Sequence, residues 1–359
     1  MQTFYKGKRV LVTGHTGFKG TWLCWLLSAL GAEVYGFALS PQHGCLYERA
    51  RPPVAGEVFA DIRDQDAVGK AFARFAPDIV FHLAAHSYID GSYDFPREIF
   101  EINVMGTVNM LETIRGRGIP AVVVTSDKCY ARQPDGRPCR EDDPLGAAEA
   151  YSTSKTCQDL AVQCYCYSFP EMMVASARAS NIIGGGDFNK TRLIPYLLEC
   201  FSTGMPAQLR NPDFVRPWQF VLDVLWGYLT LGKMMSEQSL FGEMSFNFGP
   251  AADGFQSVGQ TANLLASHFP HARIEIQRTP SSRETTLLRL DSSKAHQVLG
   301  WYPRYSFAET LDQTAAFYKA LSHVSADTLC YQQVTSYITR SLRDFGGCTK
   351  TMEVHKDQS

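Results

Sequence analysis

Two side chains that could move a proton together lie in the segment AYSTSK, residues 150–155. Tyr151 and Lys155 are four positions apart, which places both on one face of a helix. A phenol has an unperturbed pKa of about 10, and a neighbouring ammonium group favours the phenolate and lowers that value. An alcohol must lose its hydroxyl proton when it is oxidised. We therefore predict that Tyr151 is the base of an oxidation and Lys155 its electrostatic partner.

A second group of reactive side chains lies in TSDKCY, residues 125–130, at the end of the apolar run AVVVTSD. Ser126 offers a hydroxyl that can hydrogen-bond a reacting alcohol, and Asp127 and Lys128 place an acid beside a base. If the run is a strand of a parallel sheet, these side chains lie at the carboxyl edge, where ligands of open α/β sheets bind. The pair predicts a second proton transfer; the alternative is a solvated Asp–Lys turn.

A glycine-rich turn lies near the start of the chain, in VLVTGHTGFKG, residues 10–20. We expect Gly14 to allow a tight turn, Gly17 to let a pyrophosphate approach the backbone, and Gly20 to let the following helix pack closely. The unpaired N–H groups and positive dipole end of that helix favour an anion. The strand–turn–helix context predicts a dinucleotide site; a purely structural turn is the alternative.

The elements that position these residues follow from apolar runs that alternate with helical patterns, which predicts a parallel sheet with crossover helices. We predict an α/β fold with a Rossmann-like, doubly wound parallel sheet, and an NAD-binding domain over residues 1–180. We predict that residues 181–340 form mainly a smaller C-terminal lobe that binds the substrate, and that residues 245–250 within this range add a further strand to the main sheet. Residues 341–359 are expected to form a mobile tail. The predicted strands are 8–14, 32–39, 78–85, 121–127 and 172–184, and the predicted helices are 18–31, 65–75, 96–116 and 150–169.

The choice between NAD and NADP depends on the residue about twenty positions after the first glycine. Ser40 stands near that place, so no acid is present to bind a ribose, but residues 34–48 also hold no arginine for a 2′-phosphate. NAD is therefore the predicted cofactor. Asp61 follows another apparent strand and is expected near the adenine. The predicted cofactor contacts are Gly14, Thr16, Gly17, Phe18, Lys19, Ser40, Asp61, Ile62, Leu83, Ala84, Ala85, Tyr151 and Lys155.

Length, charge and cysteine spacing exclude several classes of protein. The chain has 359 residues and a formal net charge of −2, which gives no bulk attraction to nucleic acid or to an anionic membrane. The apolar run near 20–32 is shorter than the about 18 residues that a membrane span needs. The ten cysteines show no metal-site or disulfide spacing. We expect no metal site, reduced thiols and a cytoplasmic location.

Seven segments together resemble the nucleotide-sugar 4,6-dehydratases of the extended short-chain dehydrogenase/reductase superfamily, and among these the CDP-glucose type. The likeness covers about residues 4–320. Most members of the group carry Asp-Glu where this chain has Asp127 and Lys128, and Asp-Lys is typical of the CDP-glucose type. The resemblance implies an NAD enzyme that forms a homodimer or a dimer of dimers, with Ser126, Tyr151 and Lys155 also catalytic. The segments are VTGHTGFKG (12–20), DIRD (61–64), NVMGTV (103–108), TSDKCY (125–130), NIIGGGDF (181–188), RNPDFVRPWQ (210–219) and FNFGP (246–250).

The reaction that the resemblance implies has three steps. Tyr151 takes the proton of the 4-hydroxyl while a hydride leaves carbon 4 for NAD. The 4-ketone acidifies carbon 5, so that Lys128 removes its proton while Asp127 protonates the departing 6-hydroxyl. Return of the hydride to carbon 6 gives a 4-keto-6-deoxy sugar. A diphosphate calls for charge-assisted donors, and the predicted substrate contacts are His86, Asn181, Arg192 and Arg216.

Three positions differ from the CDP-glucose type. Asp90, within HSYIDGSY (86–93), stands where an arginine is expected, Ala150 replaces a proline, and SRETTLLRLD (282–291) replaces a His-Glu-Ala-His type of segment. Two other functions therefore remain open, a nucleotide-sugar 4-epimerase or reductase and a non-enzymatic nucleotide sensor. The Asp–Lys pair argues against an epimerase, which does not need it. The Tyr–Lys pair argues against a sensor, which has no use for a lowered phenol pKa.

Overall fold

The computed structural model describes residues 1–87, 94–131, 133, 136–240, 244–277 and 289–347. The predicted strands are present, and the run at 245–250 is a strand as expected. The strands are β1 Arg9–Thr13, β2 Glu33–Ala38, β3 Gly56–Phe59, β4 Ile79–His82, β5 Ala121–Val124, β6 Val174–Ala179, β7 Asn181–Ile183, β8 Pro206–Leu209, β9 Val215–Phe220, β10 Ser245–Phe248, β11 Phe255–Ser257 and β12 Arg273–Ile276.

The helices follow the predicted pattern over the first 170 residues and are shorter and more scattered after that. The helices are α1 Gln2–Tyr5, α2 Phe18–Ala29, α3 Leu46–Ala50, α4 Gln65–Phe75, α5 Pro96–Phe100, α6 Gly106–Ile114, α7 Ala150–Ser168, α8 Leu193–Thr203, α9 Val221–Ser236, α10 Val258–Ala266, α11 Ser293–Leu299, α12 Phe307–Ala320 and α13 Ala326–Gly347.

The main sheet has seven parallel strands in the order β10–β6–β5–β4–β1–β2–β3. Its central strands are buried on both faces: the whole of β4 and β5 is buried, as is β1 after Arg9. This is why they appear in the sequence as continuous apolar runs. The strand order reverses between β1 and β4, and the carboxyl edge at such a point is where ligands of this architecture bind. The predicted doubly wound, Rossmann-like fold is confirmed.

Two predicted elements are interrupted. The run 172–184 was expected to be one strand, but β6 ends in the main sheet at Ala179 and β7 pairs with β9 in a separate three-stranded sheet. Ser180 lies at the change of sheet, where its hydroxyl accepts a hydrogen bond from Gln219 at 2.9 Å. The predicted helix 96–116 contains a π-helical turn at Glu101–Met105 between α5 and α6. The apolar periodicity continues through both interruptions and so conceals them.

Residues 181–340 divide between two hydrophobic cores. Helices α9, α11 and α13 pack in the core of the main sheet, where they bury residues such as Trp226 and Cys330. The second core lies between α8, α10 and α12 and includes Leu197, Leu265 and Leu311. The lobe outside the main sheet is therefore smaller than the range 181–340.

The C-terminal helix α13 extends through residues 341–347, where a tail was expected. Cys330, Val334, Tyr337 and Ser341 are all buried, and their spacing of three or four residues places them on one helix face. Packing of this buried face supports the helix into the segment where the sequence becomes polar. Residues 348–359 lie outside the described residues. No helix in the described part of the chain is both long and apolar enough to cross a membrane.

A buried ion pair joins α7 to β6. The guanidinium of Arg178 donates to both carboxylate oxygens of Asp159, with Nε to Oδ2 at 2.9 Å and Nη2 to Oδ1 at 2.6 Å. Both side chains are 0% exposed. Removing one member of such a pair leaves an uncompensated charge in the interior, which costs about 3–5 kcal/mol.

We predict that Asp159→Asn lowers the free energy of unfolding by about 3–5 kcal/mol, because the Arg178 charge stays buried without its partner. Equilibrium unfolding in urea measures this value. The double variant Asp159→Leu/Arg178→Met should recover part of the loss, since neither charge remains. Arg97→Gln removes an ion pair whose arginine is 91% exposed and should leave the urea midpoint unchanged. Equal midpoints for Asp159→Asn and Arg97→Gln would contradict the prediction.

Candidate active site

The glycine-rich turn between β1 and α2 brings three pieces of backbone close together. Gly14 has φ +72°, and a Cβ there would lie 2.7 Å from the nitrogen of Ala84. A Cβ on Gly20 would overlap the carbonyl oxygen of Gly14. Gly17 is the N-cap of α2 and is exposed. Only glycine therefore fits at the first and third positions, and the second leaves the helix end open.

The open end of α2 has the features of an anion site. Within the described residues, no side chain caps α2, and its first turn contains no acid. Its first N–H groups are thus available to a phosphate. The hydroxyl of Thr16 donates to the Leu39 carbonyl at 3.2 Å, which holds the turn against the end of β2, and Ser40 follows, exposed. Phe18 reaches toward the Gly184 turn that follows β7. These residues fit the phosphates of a dinucleotide.

Lys19 lies in the first turn of α2 and interacts electrostatically with Arg192 and Asp127. Burial and the positive charge of Arg192 lower the pKa of Lys19 to about 8, and the charge of Asp127 opposes that shift. Lys19 was predicted to contact the cofactor. Its own charge acts on Lys155.

Asp61, which is expected near the adenine, and Ile62, another predicted cofactor contact, have different surroundings. Asp61 accepts from Arg63 through both carboxylate oxygens, at 2.7–3.1 Å, and this pairing lowers the pKa of Asp61. The side chain of Ile62 is 5% exposed and packs in the core against Gly106. The Ile62 carbonyl accepts from Asn109 at 3.1 Å. Asp61 remains partly accessible, whereas the Ile62 side chain faces the core.

The segment after β4 packs against the glycine turn. Leu83 donates from its backbone nitrogen to the Thr13 carbonyl at 3.1 Å, and Ala84 donates to the Thr13 hydroxyl at 3.2 Å. Ala85 is half-buried. The backbone nitrogen of His86 donates to Asn103 at 2.7 Å, and burial lowers the pKa of the His86 ring. Asp90 and residues 278–288, which include most of the SRETTLLRLD segment, lie outside the described residues.

The loop after β5 forms a tight turn around its own hydroxyl. Ser126 accepts from the backbone nitrogen of Lys128 at 3.2 Å and donates to Asp127 Oδ1 at 3.0 Å. Asp127 is 4% exposed, and burial raises the pKa of its carboxyl against the positive charges of Lys128 and Arg216. A carboxyl with a raised pKa keeps its proton to higher pH and can act as a general acid.

Helix α7 begins at the predicted base. The carboxylate of Glu149 caps it by accepting from the backbone nitrogens of Tyr151 at 2.7 Å and Ser152 at 2.8 Å. Burial raises the pKa of Tyr151 to about 12, and the negative charge of Asp127 adds to the shift. Burial lowers the pKa of Lys155 to about 7, with a contribution from Lys19. In the chain by itself, burial therefore outweighs the lowering of the phenol pKa that was expected from Lys155.

The predicted substrate residues of the second lobe extend toward the same groups. Arg192, the N-cap of α8, donates to Asp187 at 2.8 Å and to the Ser87 hydroxyl at 3.4 Å, and its charge acts on Lys19 and Tyr151. Arg216, on β9, lies 5.4 Å from the Phe214 ring centre and acts electrostatically on Asp127. Asn181 is half-buried at the start of β7.

Sequence reasoning missed a set of buried polar side chains beneath the site. Asn103, in the π-helical turn, donates to the Ser154 hydroxyl at 2.8 Å and to the His86 carbonyl at 3.2 Å. Its signal in the sequence was the spacing of two polar residues, Asn103 and Thr107, which are four positions apart and so share one helix face. The other missed residues are His82, Glu149, Gln158, Asp159 and Arg178.

The comparisons with known proteins agree with this geometry. The model of the NAD dependent epimerase/dehydratase family matches residues 10–241. A CDP-glucose 4,6-dehydratase from Salmonella typhimurium is 38% identical over 357 residues, which cover 95% of this chain and 99% of the relative. A UDP-glucose 4-epimerase from Mycolicibacterium smegmatis is 28% identical, with 87% and 98% covered.

Solved structures support the fold. The dTDP-glucose 4,6-dehydratase of Bacillus anthracis, in complex with NAD, has a TM-score of 0.72 at 22% identity and covers 86% of this chain and 96% of its own. The UDP-glucose 4-epimerase of Thermotoga maritima has a TM-score of 0.77 at 21% identity, with 88% and 99% covered. The family model matches more than half of the chain, and one relative is 38% identical over nearly its whole length. This chain therefore belongs to the NAD-dependent epimerase/dehydratase family.

Proposed function

We propose that this chain is a nucleotide-sugar 4,6-dehydratase that uses bound NAD and acts on CDP-glucose or a closely related CDP-sugar. The observation that carries the proposal is the placement of Asp127 and Lys128 directly after β5, where Asp127 accepts from the Ser126 hydroxyl at 3.0 Å and both Ser126 and Asp127 interact with Tyr151. An oxidation base and an acid–base pair thus share one site. The relative from Salmonella typhimurium, which is named a CDP-glucose 4,6-dehydratase, supports the choice of sugar nucleotide.

The oxidation half of the reaction uses α7 and the hydroxyl of Ser126. Ser126 holds the 4-hydroxyl of the sugar, and Tyr151 accepts its proton. Burial favours the protonated phenol, so Tyr151 needs positive charge nearby, which Lys155 provides when it is an ammonium. Bound NAD supplies the hydride acceptor at carbon 4 and the hydride donor at carbon 6, and its oxidised ring carries a further positive charge.

The elimination half uses the neighbouring acid and base. Asp127 is buried and its raised pKa keeps the carboxyl protonated to higher pH, which suits it to protonate the departing 6-hydroxyl. Lys128 is half-buried beside it and is the proposed base for the proton on carbon 5. A 4-epimerase, the second activity represented among the relatives, would need neither step.

We propose that the chain assembles as a homodimer through α7 and the segment from α5 to α6. Leu160 is 48% exposed and Tyr167 is 83% exposed, and Cys157 and Cys164 continue the same face at helical spacing. Met105, 51% exposed, lies on the adjoining helix. An exposed apolar face of this kind fits a second copy of itself across a two-fold axis. The nine described cysteines are free thiols, which supports a cytoplasmic location, and the net charge of −2 gives no bulk attraction to a membrane or to nucleic acid.

The cofactor prediction concerns the glycine turn. Gly14→Ala should abolish NAD binding, because the new Cβ would collide with the backbone of Ala84 at 2.7 Å and disturb the cradle. Gly116→Ala is a matched control, since Gly116 has a similar φ of +71° but nothing within 4 Å of a new Cβ. Calorimetric titration of folded protein measures both variants and should also show that the wild type prefers NAD to NADP. Equal losses in the two variants, or a preference for NADP, would contradict the prediction.

The catalytic prediction separates oxidation from elimination. Tyr151→Phe should lose all turnover of CDP-glucose, because no base remains for the hydroxyl proton. Lys128→Met and Asp127→Asn should still oxidise the sugar and accumulate the absorbance of reduced nicotinamide, while product formation falls by about 100- to 10,000-fold. Tyr302→Phe, which removes the hydroxyl of a tyrosine that is 57% exposed, is the control and should keep full activity.

Isotope labelling decides between the dehydratase and its alternative. In deuterated water, the wild-type product should carry deuterium at carbon 5, since the proton removed there exchanges with solvent. A wild-type product that retains its 6-hydroxyl and contains no deuterium would show an epimerase or reductase. In that case the roles of Asp127 and Lys128 are wrong, while those of Tyr151 and Lys155 remain.

The assembly prediction is that light scattering at micromolar concentration gives a mass of at least twice the 40.0 kDa chain. Leu160→Glu should shift the mass toward the monomer, because it places a charge in the proposed interface. Leu264→Glu, at a leucine on α10 that is 46% exposed, should not change it. A wild-type monomer would overturn the proposal.

A further inference from the structure

A line of buried polar side chains runs beneath the active site, from the catalytic lysine to the glycine turn. Lys155 donates to Gln158 Oε1 at 2.8 Å, and Gln158 Nε2 donates to the Thr107 hydroxyl at 2.8 Å. His82 Nε2 lies 3.0 Å from that hydroxyl, and His82 Nδ1 lies 2.8 Å from the hydroxyl of Thr13. Lys155 is 3% exposed, Thr13 is 1% exposed and the other three are 0% exposed. Water therefore cannot substitute for any of these bonds.

The Thr107 hydroxyl sets the direction of the bonds around it. A hydroxyl has one proton, and that of Thr107 is donated to the carbonyl of Asn103 at 2.7 Å. Thr107 must then accept from both of its other neighbours, Gln158 and His82. His82 therefore carries its proton on Nε2.

The far end of the line is fixed in the same way. His82 Nδ1 accepts from the Thr13 hydroxyl, which itself accepts from the backbone nitrogen of Ala84 at 3.2 Å. Burial lowers the pKa of His82 to about 3, so the ring is neutral, as this arrangement requires. The line thus ends on the residues that the glycine turn approaches most closely.

The orientation of the Gln158 amide is determined from both sides. Its nitrogen must face Thr107, which accepts, and its oxygen must face Lys155, which can only donate. Lys155 has one other acceptor, the Val124 carbonyl at 3.3 Å. These two oxygens favour the charged ammonium and oppose the burial that disfavours it.

We propose that Thr107, His82 and Gln158 are positioning residues. They keep the amide oxygen of Gln158 directed at Lys155, and they connect that lysine by hydrogen bonds, through Thr13, to the backbone of Ala84 beside the glycine turn. The inference rests on the proposed function in one respect, that Lys155 assists Tyr151 during oxidation. The hydrogen bonds that carry the inference do not depend on the identity of the sugar.

The electrostatic consequence follows from the charged groups around the pair. Lys19 from α2 and Cys129 from the loop after β5 act on Lys155, while Asp127, Arg192 and Glu149 act on Tyr151. Without the Thr107 hydroxyl the Gln158 amide can rotate and withdraw its oxygen from Lys155. The ammonium then loses its proton at lower pH, the phenolate loses a stabilising charge, and the pKa of Tyr151 rises.

The test compares Thr107→Val with Thr107→Ser and Thr113→Val. Thr113 is a matched control on the same helix, since its hydroxyl also donates to the carbonyl four residues earlier, that of Asn109, at 2.7 Å. Thr107→Val should move the pH dependence of kcat/KM for the nucleotide sugar to higher pH by about one unit, which is about a tenfold loss on the acid side. Thr107→Ser and Thr113→Val should keep the wild-type profile. A uniform loss without a shift in Thr107→Val would overturn the inference.

A second measurement does not depend on turnover. Long-range ¹H–¹⁵N correlation spectra of histidine-labelled wild-type protein should show one ring with its proton on Nε2 that does not titrate between about pH 5 and 8. The His82→Gln variant assigns that signal by its loss. A His82 ring protonated on Nδ1, or one that titrates in this range, would overturn the inference. A wild type inactive on every nucleotide sugar would instead count against the proposed function and leave this measurement intact.

Discussion

The ion pair between Arg178 and Asp159 holds the active site together, because several elements meet at its atoms. Asp159 also accepts from the hydroxyl of Thr125 at 3.0 Å, and Arg178 donates to the Tyr130 hydroxyl at 2.7 Å. Tyr130 in turn donates to Asn247 on β10 at 2.7 Å. The pair thus joins α7, β6, β10 and both ends of the loop that carries Asp127. A displacement of α7 or β6 would leave a buried charge without its partner, and a displacement of β10 or of the loop would break the hydrogen bonds that connect them to the pair.

Much of the fold was predictable because the information is local. Strands buried on both faces must be apolar along their whole length, and glycines at positions 14 and 20 are required by backbone contacts that no Cβ permits. The break at Ser180 was not predictable, since no glycine or proline separates β6 from β7 and only their pairing partners differ. The buried series of hydrogen bonds from Lys155 to Thr13 was also not predictable, because it depends on the packing of four separate elements against one another.

The spacing of Tyr151 and Lys155 correctly placed both residues on one helix but gave the wrong direction for the phenol pKa. Helical spacing shows that a lysine and a tyrosine are neighbours, and it contains no information on how deeply they are buried. Each unit of pKa shift corresponds to about 1.36 kcal/mol, and here desolvation outweighs the attraction between neighbours. The sequence therefore indicates which groups are neighbours, while burial influences their charge.

The site faces opposing requirements, since burial strengthens electrostatic interactions but also disfavours the charged forms of Lys19 and Lys155. Lys19, Arg192 and Arg216 concentrate positive charge there, and the charge of Lys19 disfavours the ammonium of Lys155. A diphosphate bound between the arginines would bring negative charge close to these groups and so favour the charged lysine. In that arrangement the bound substrate would favour the charged form of Lys155 that the proposed oxidation needs. The role of Gln158 would then be to hold the amino group of Lys155 in position before the substrate binds.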